Sequence, residues 1–464
     1  MYKLNIHNFD YLRLCIILLN LFILLQALPV HFFAENAEYL YLARYYSQHP
    51  LKIFFVVPFV LENRGYIHHL FFYRPMERIF FTFNYIIGKL NPLPYNITQG
   101  LLFLILVVSI YNIVHLISNN RLSAVLSVTF FLLIPTNYKI IHWLGNSDIL
   151  SSPLMWISLF FLFIALKNNN SKLLFIGLFF TLLALLTKTS TAIVLPINFF
   201  LFYIFYKREY RLNKKMFYIG LVYILCLAIL HLILHGIAYK NVKTYHYSIH
   251  LLYRIGFNNI FKNIVVYYKI FYNNCFPLLF LIAFILALFR RKKDYFLFLS
   301  WAFIAIIVYL PIYNYSSKYF NGMTVGLSMF LGAVLADYII KSKGCKWIGV
   351  IFICLGLIFS IPRIKNNIKM IRHTYELANK SYLLQKENFK RFQYLPKDAI
   401  IYVDDDIVRY YYLWYLALMD REDVKIEVVS SKDTVKPEFF FEGETKIIQE
   451  PFFMIIDKLG DWRF

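Results

Sequence analysis

The chain has 464 residues, of which 60% are hydrophobic, whereas a soluble globular domain is about 45–50% apolar. This composition excludes an ordinary soluble enzyme and predicts an integral membrane protein. The formal net charge of +22 is typical of nucleic-acid-binding proteins. Here the Lys and Arg residues cluster in short loops between apolar segments, so we attribute them to membrane topology and expect no nucleic-acid partner. The five Cys residues form no CxxC pair, which argues against a disulfide framework and a Cys metal site.

Eleven apolar windows are near or above the length of about 18 residues that crosses a bilayer. The windows are 11–30, 98–117, 122–140, 149–166, 172–187, 190–206, 216–236, 276–289, 295–312, 320–340 and 347–361. The first lacks a small-residue cleavage site and predicts a retained transmembrane helix. Five alternate loops hold 15 Lys and Arg residues, and the three short loops between them hold 3. This contrast predicts a multi-pass protein of the plasma membrane with its N-terminus in the cytoplasm and its C-terminus outside.

The same topology places residues 31–97 and 237–275 outside the cytoplasm. Within the first segment, LKIFFVVPFVL (51–61) is too short to span and predicts a helix in the membrane interface. MERIFFTFNYIIGKL (76–90) predicts a second amphipathic helix, which NPLP (91–94) ends.

The chain changes character after about residue 362, where strand-like and helical stretches alternate. The stretches are the strand-like DAIIYVDDD (398–406), KIEVVS (425–430) and FFMIID (452–457) and the helical IVRYYYLWYLALM (407–419). We therefore predict an all-α polytopic membrane protein with about eleven transmembrane helices and a small C-terminal α/β extramembrane domain. The expected boundaries are 1–361 for the transmembrane domain, including the long external loop, and 362–464 for the extracytoplasmic domain.

Carboxylates are nearly absent from the middle of the apolar windows, and polar and ionisable residues gather at the predicted outer ends of those windows. These residues are Glu35, Glu38, Arg74, His142, Asp148, Lys188 and Lys318. Charged residues in or beside a bilayer are costly and usually have a function. Because these come from separate segments that share one membrane face, a helical bundle could gather them into one pocket.

Several motifs at these positions resemble those of the polytopic glycosyltransferases with the GT-C fold, which use polyprenyl-phosphate-linked sugars. The likeness is greatest to bacterial relatives of protein O-mannosyltransferases and of lipid A aminoarabinose transferases, and it covers roughly residues 11–340. The motifs are ENAEYLYLAR (35–44), YRP (73–75), HWLGNSDIL (142–150), LLTKTSTAIVLP (185–196) and YSSKYFNGMTVGLSMFLG (315–332).

Three positions depart from the pattern of that family. Glu35 stands where the first-loop catalytic acid is usually Asp, Thr189 stands where an acid often follows the Lys, and Asn146 stands where an Arg is usual. The departures bear on whether the chain is active and on the donor sugar.

The resemblance implies transfer of a sugar from a polyprenyl-phosphate donor in the bilayer to an extracytoplasmic protein, lipid or glycan acceptor. Such a transfer needs a base for the acceptor hydroxyl, and we assign Glu35 to it. Cations must stabilise the leaving phosphate, and Arg74, Lys188 and Lys318 are the candidates. Asp148 is expected to orient the acceptor or Arg74. A single base opposite a leaving phosphate implies inversion at the anomeric carbon.

Three further residues are candidate substrate ligands: Glu38, His142 and Tyr319. Glu38 lies three residues after Glu35 and could share its site or pair with Arg44.

No metal site is predicted, although a divalent cation is left open. His231 and His235 have the i, i+4 spacing of metal ligands, but no third ligand is evident, so packing or interface hydrogen bonds are the simpler interpretation. The acidic run 404–406 could hold a divalent ion, and a helix N-terminus enriched in acids explains it equally well.

Two other functions compete with the enzyme. A lipid-linked sugar flippase or transporter would tend to show internal repeats and ionisable residues near the membrane midplane, and neither is evident. A non-catalytic protein that binds sugar lipids and supports envelope assembly is compatible with the departures at Glu35 and Thr189.

Overall fold

The structure is a computed structural model. It describes residues 36–54, 73–134, 147–242, 256–311, 321–341, 390–403, 423–428 and 440–441, together with the isolated positions 137, 358, 362, 365, 369 and 416.

The described part of the chain is dominated by α-helices. In chain order they are α1 (Asn36–Gln48), α2 (Pro75–Gly88), α3 (Leu93–Ser118), α4 (Arg121–Leu132), α5 (Ser147–Asn168), α6 (Ser171–Leu185), α7 (Thr191–Tyr206), α8 (Lys214–Val242), α9 (Phe257–Asn274), α10 (Pro277–Arg290), α11 (Lys293–Ile307) and α12 (Asn321–Lys341). A 3-10 turn at Pro50–Phe54 follows α1. The expected all-α architecture of the main part of the chain is thus present.

Four helices, α3, α5, α8 and α12, are each long and apolar enough to cross a membrane. They coincide with the predicted windows 98–117, 149–166, 216–236 and 320–340. Helices α9 and α10 would make a fifth span as a pair bent by 100°, and α4, α6 and α7 are shorter apolar helices. The windows 11–30 and 347–361 lie outside the described residues except for Ile358, so the count of eleven stays a prediction.

Local sequence explains where these helices begin and end. Asn120 and Asn170 cap α4 and α6, because their side-chain oxygens accept hydrogen bonds from Leu122 N at 3.0 Å and Leu173 N at 3.2 Å. Asn119 ends α3 in the left-handed conformation, with φ of 50°. The predicted stop at 91–94 is present, since α2 ends at Gly88 and α3 begins at Leu93.

Segment 237–275, which is predicted to lie outside the cytoplasm, contains a helix that the apolar windows did not predict. Helix α9 leaves Phe257 and Phe261 largely exposed and is bound to the segment after α11, where Asn259 Nδ2 donates to Pro311 O at 3.2 Å. Its aromatic residues alternate with Asn and Lys, so it lacks the continuous apolar window that identifies a span. The helix therefore arises from amphipathic patterning.

Small residues let the central helices approach closely. Gly332 of α12 lies against α4, and Gly326 lies against Ala302 of α11. A Cβ on Gly332 would stand 2.4 Å from Ser127 N, and one on Gly326 would stand 2.5 Å from Ala302 N. Without a hydrophobic driving force in lipid, such backbone contacts supply much of the association between helices.

A charged network joins three helices at the end of the bundle that is predicted to be cytoplasmic. Lys292 and the Tyr295 hydroxyl both donate to the buried carboxylate of Asp337, and the Tyr206 hydroxyl donates to Asp294. The network connects α7, α11 and α12. The basic loop at 290–294 was predicted to mark the cytoplasmic side of the membrane. In the structure its residues Lys292 and Asp294 also bind side chains of α12 and α7.

The described part of the tail forms a small parallel sheet. Strands β1 (Ile400–Val403), β2 (Lys425–Val428) and β3 (Phe440–Phe441) lie in the order β2–β1–β3. The strands predicted at 398–406 and 425–430 are present, β3 was not predicted, and the predicted strand at 452–457 lies outside the described residues. Parallel strands need a crossover of a dozen or more residues, which fits the helix predicted at 407–419. The C-terminal α/β domain stays a prediction.

We expect Gly332→Ala to destabilise the bundle by about 1–3 kcal/mol or more, because the added methyl meets backbone atoms that cannot rotate away. Thermal unfolding in detergent measures the change. The matched control is Gly236→Ala on α8, where a Cβ meets nothing within 4 Å and helix propensity favours Ala. Equal unfolding temperatures for both variants would contradict the close packing of α4 and α12.

Candidate active site

Lys188 lies in the short connection between α6 and α7, and its side chain is only 7% exposed. Its Nζ forms an ion pair and hydrogen bond with Asp148, whose side chain is 13% exposed. Asp148 is in the first turn of α5, where the helix dipole also favours a carboxylate. An ammonium group at this depth needs a partner, so the pair fixes the connection against α5.

Tyr309, which follows α11, completes the surroundings of Lys188. Lys188 Nζ lies 5.2 Å from the centre of the Tyr309 ring, a cation–π distance. The Tyr309 hydroxyl donates to Ser190 Oγ at 2.7 Å. Helix α9 holds the backbone here, because Asn263 Nδ2 donates to Leu310 O at 2.8 Å. Helices α5, α7, α9 and α11 thus all contribute to the position of one lysine.

Arg74 immediately precedes α2 and lies against Glu77, with 3.6 Å between Arg74 Nη1 and Glu77 Oε2. Burial raises the pKa of the Glu77 carboxyl, and the Arg74 charge and a hydrogen bond from the Tyr39 hydroxyl oppose that rise. Tyr39 belongs to α1 and stacks on Phe81 of α2 with 4.4 Å between ring centres. Helix α1 is thereby packed beside Arg74.

The Arg74 group and the Lys188 group belong to one cluster. Met76 N donates to Leu186 O at 3.2 Å, which joins the start of α2 to the α6–α7 connection. His231 and His235 of α8 contact both groups. His235 Nδ1 lies 3.4 Å from Thr189 Oγ1, and the His231 ring lies 6.1 Å from the Tyr73 ring.

The structure brings together three of the eight predicted site residues, Arg74, Asp148 and Lys188. Asp148 had been expected to orient the acceptor or Arg74, and it is paired with Lys188. Four of the predicted residues lie outside the described part of the chain: Glu35, His142, Lys318 and Tyr319. Glu38 lies in α1, and its side chain also lies outside the described part.

Sequence reasoning missed Glu77 and Tyr309. The i, i+3 spacing of Arg74 and Glu77 was a signal for the first. Nothing in the sequence indicates the cation–π contact of Tyr309, because it joins segments 121 residues apart. Among the described residues, no group of three or more His, Cys, Asp or Glu side chains could hold a metal ion, and the run 404–406 lies outside them.

Comparison with known proteins supports the resemblance seen in the sequence. The family model for dolichyl-phosphate-mannose-protein mannosyltransferases matches residues 79–234, about a third of the chain. The matched stretch includes Asp148, Lys188 and His231, while Arg74 precedes it. No curated protein sequence matches the chain significantly.

Solved structures match over almost the whole chain. The crystal structure of ArnT from Cupriavidus metallidurans bound to undecaprenyl phosphate has a TM-score of 0.55 and 14% identity, and it covers 93% of this chain and 89% of ArnT. The apo state of the same protein gives 0.55 and 12%, with coverages of 94% and 90%. An oligosaccharyltransferase from Archaeoglobus fulgidus, tethered to an acceptor peptide, gives 0.53 and 11%, covering 92% of this chain and 64% of that one.

The chain is a multi-pass membrane protein with the GT-C fold. The resemblance predicted from the sequence to polyprenyl-phosphate-dependent glycosyltransferases is confirmed. At identities of 11–14%, the structural likeness defines the fold and leaves the substrate and reaction to the residues of the site.

We expect Lys188→Met to destabilise the protein by about 3–5 kcal/mol, because it leaves the Asp148 carboxylate buried without its cation. The double variant Lys188→Met/Asp148→Leu should recover much of that loss, since both charges are removed together. Unfolding in detergent measures all three proteins in a double-mutant cycle with Asp148→Leu. Strictly additive losses would show that the pair contributes no coupling energy.

Proposed function

We propose that the protein is an integral-membrane inverting glycosyltransferase that moves a sugar from a polyprenyl-phosphate donor to an acceptor outside the cytoplasm. The observation that carries the proposal is the buried pair of Lys188 and Asp148, in a connection that is hydrogen-bonded to the segment of Arg74, at the predicted outer end of a GT-C bundle. The undecaprenyl phosphate bound by ArnT supports a lipid-phosphate donor, and the acceptor peptide tethered to the archaeal oligosaccharyltransferase supports a protein among the possible acceptors.

The two cations suit a phosphate that becomes more negative during transfer. The donor phosphodiester carries one negative charge, and the leaving polyprenyl phosphate carries up to two. Arg74 and Lys188 are each balanced by a carboxylate in the structure, Glu77 and Asp148. The phosphate would therefore meet cations that are already oriented, and charge that grows on it would be stabilised without reorganisation of the site. Lys318 is proposed as a third ligand.

Glu35 is the proposed base, and the arrangement of the other acids favours it. Asp148 is paired with Lys188, and Glu77 is paired with Arg74, so both acids already serve to position cations. Glu35 directly precedes α1, and α1 is held beside Arg74 through Tyr39. The base takes the proton of the acceptor hydroxyl, the hydroxyl oxygen bonds to the anomeric carbon, and the carbon–phosphate oxygen bond breaks with inversion.

The remaining candidates extend this site. Glu38, His142 and Tyr319 are proposed to contact the donor or the acceptor, and Asp148 acts through Lys188. The sheet of the tail is proposed to belong to an extracytoplasmic domain, residues 362–464, next to the acceptor. The sugar that is moved is proposed to be a hexose or a pentose.

We expect Glu35→Gln to abolish sugar transfer and cause the lipid-linked donor to accumulate, because the amide cannot accept the proton. Mass profiling of envelope glycans, glycolipids and polyprenyl-phosphate sugars would compare the wild type, a deletion strain and Glu35→Gln at matched expression. Glu38→Gln is the matched control, and we expect it to retain most of the activity. A profile lost in the deletion strain and normal in Glu35→Gln would rule out Glu35 as the base and favour a flippase or scaffold.

A further inference from the structure

His231 of α8 is a buried polar side chain that the fold does not satisfy. It is 2% exposed, and neither Nδ1 nor Nε2 has a hydrogen-bond partner among the described residues. Burying a polar group without a hydrogen bond is unfavourable, because the group loses its hydrogen bonds to water. Buried polar atoms are nearly always paired, so an exception needs an explanation such as a ligand or a water molecule.

The position of His231 favours a ligand. Its ring lies 6.1 Å from the ring of Tyr73, the residue before Arg74, and 6.2 Å from the ring of His235. His235 contacts Thr189, the residue after Lys188. The two histidines therefore extend from the Arg74 segment to the Lys188 segment, which are the two segments proposed to bind the donor phosphate.

The surrounding charges narrow the chemistry of that ligand. Tyr73, whose ring contacts His231, directly precedes Arg74, so a cation bound at His231 would lie close to another positive charge. A neutral imidazole offers one N–H donor in either tautomer. The carboxylates of the cluster, Asp148 and Glu77, are paired with Lys188 and Arg74, so an incoming anion must share those cations. His231 offers an N–H that no described group competes for.

We infer that His231 binds a phosphoryl oxygen of the polyprenyl-phosphate donor through a ring N–H. This assignment rests on the proposed function. The imidazole adds a directional contact to the phosphate between Arg74 and Lys188. Thr189 Oγ1 lies 3.4 Å from His235 Nδ1, so the residue after Lys188 adds no negative charge beside the histidines.

The experiment uses the full-length protein in lipid nanodiscs with two probes that differ only in the head group. Undecaprenyl phosphate and undecaprenol are titrated against the wild type, His231→Phe and His231→Gln. His231→Phe keeps the aromatic packing and removes the ring N–H, whereas His231→Gln keeps an N–H group. His115→Phe on α3, predicted to lie at the opposite end of the bundle, is the matched control. If His231→Phe does not fold, His231→Leu provides the same comparison.

We expect His231→Phe to weaken undecaprenyl phosphate binding about tenfold or more, which is the usual effect of losing a hydrogen bond to a charged group. Undecaprenol binding should not change, and His231→Gln should bind the phosphate more tightly than His231→Phe. An equal loss of both probes would show that His231 acts through packing, and this result would overturn the inference.

The same titrations separate failure of this inference from failure of the proposed function. If the wild type prefers the phosphate and His231→Phe keeps that preference, the inference is overturned and the donor class stands. If the wild type shows no preference for the phosphate over the alcohol, both fail. If His231→Phe selectively loses undecaprenyl phosphate binding but the wild type transfers no sugar, the phosphate contact is supported and the proposed transferase activity is wrong.

Discussion

The ion pair between Lys188 and Asp148 is the interaction on which the architecture of the site depends. An ammonium group with 7% of its side chain exposed is tolerated only with a partner, and that partner fixes the α6–α7 connection against the start of α5. Tyr309 covers the lysine from α11, and Ser190 binds the Tyr309 hydroxyl. Met76 then connects this group to Arg74 through the carbonyl of Leu186. Removing the pair would loosen each of these contacts.

The rest of the bundle holds the elements that carry the pair. Close approach of α12 to α4 and α11 at Gly332 and Gly326 leaves little freedom for sliding. At the other end, Asp337 binds both Lys292 and Tyr295 and locks α11 to α12. The bundle thus has polar contacts at both ends and apolar packing between them. This arrangement holds in place the segment after α11, which carries Tyr309. A site with fixed dipoles needs such a frame, because stabilisation of growing charge depends on groups oriented before the reaction.

Helix positions and the end of the bundle that carries the site were predictable from sequence, because both depend on local properties. Apolar windows predicted the positions of α3, α5, α8 and α12, and NPLP predicted the break before α3.

Arg74, Asp148 and Lys188 were expected to lie close together because each lies at the same predicted membrane face. The partners of each were not predictable. The contact of Tyr309 with Lys188 and the burial of Glu77 arise from tertiary packing, which no periodicity encodes. Helix α9 was missed because its apolar residues cover one face only, so a search for continuous apolar windows does not find it.

The proposed mechanism requires the cluster around Lys188 and Arg74 to receive the phosphate of a polyprenyl lipid. The most direct measurement is an experimental structure of the protein in nanodiscs with undecaprenyl phosphate, compared with the same protein without it. We expect phosphate density within hydrogen-bond distance of Lys188 Nζ and the Arg74 guanidinium, with the lipid chain leading into the bilayer. Phosphate density at the opposite end of the bundle, or at a place where neither cation reaches it, would show that this cluster is not the phosphate site.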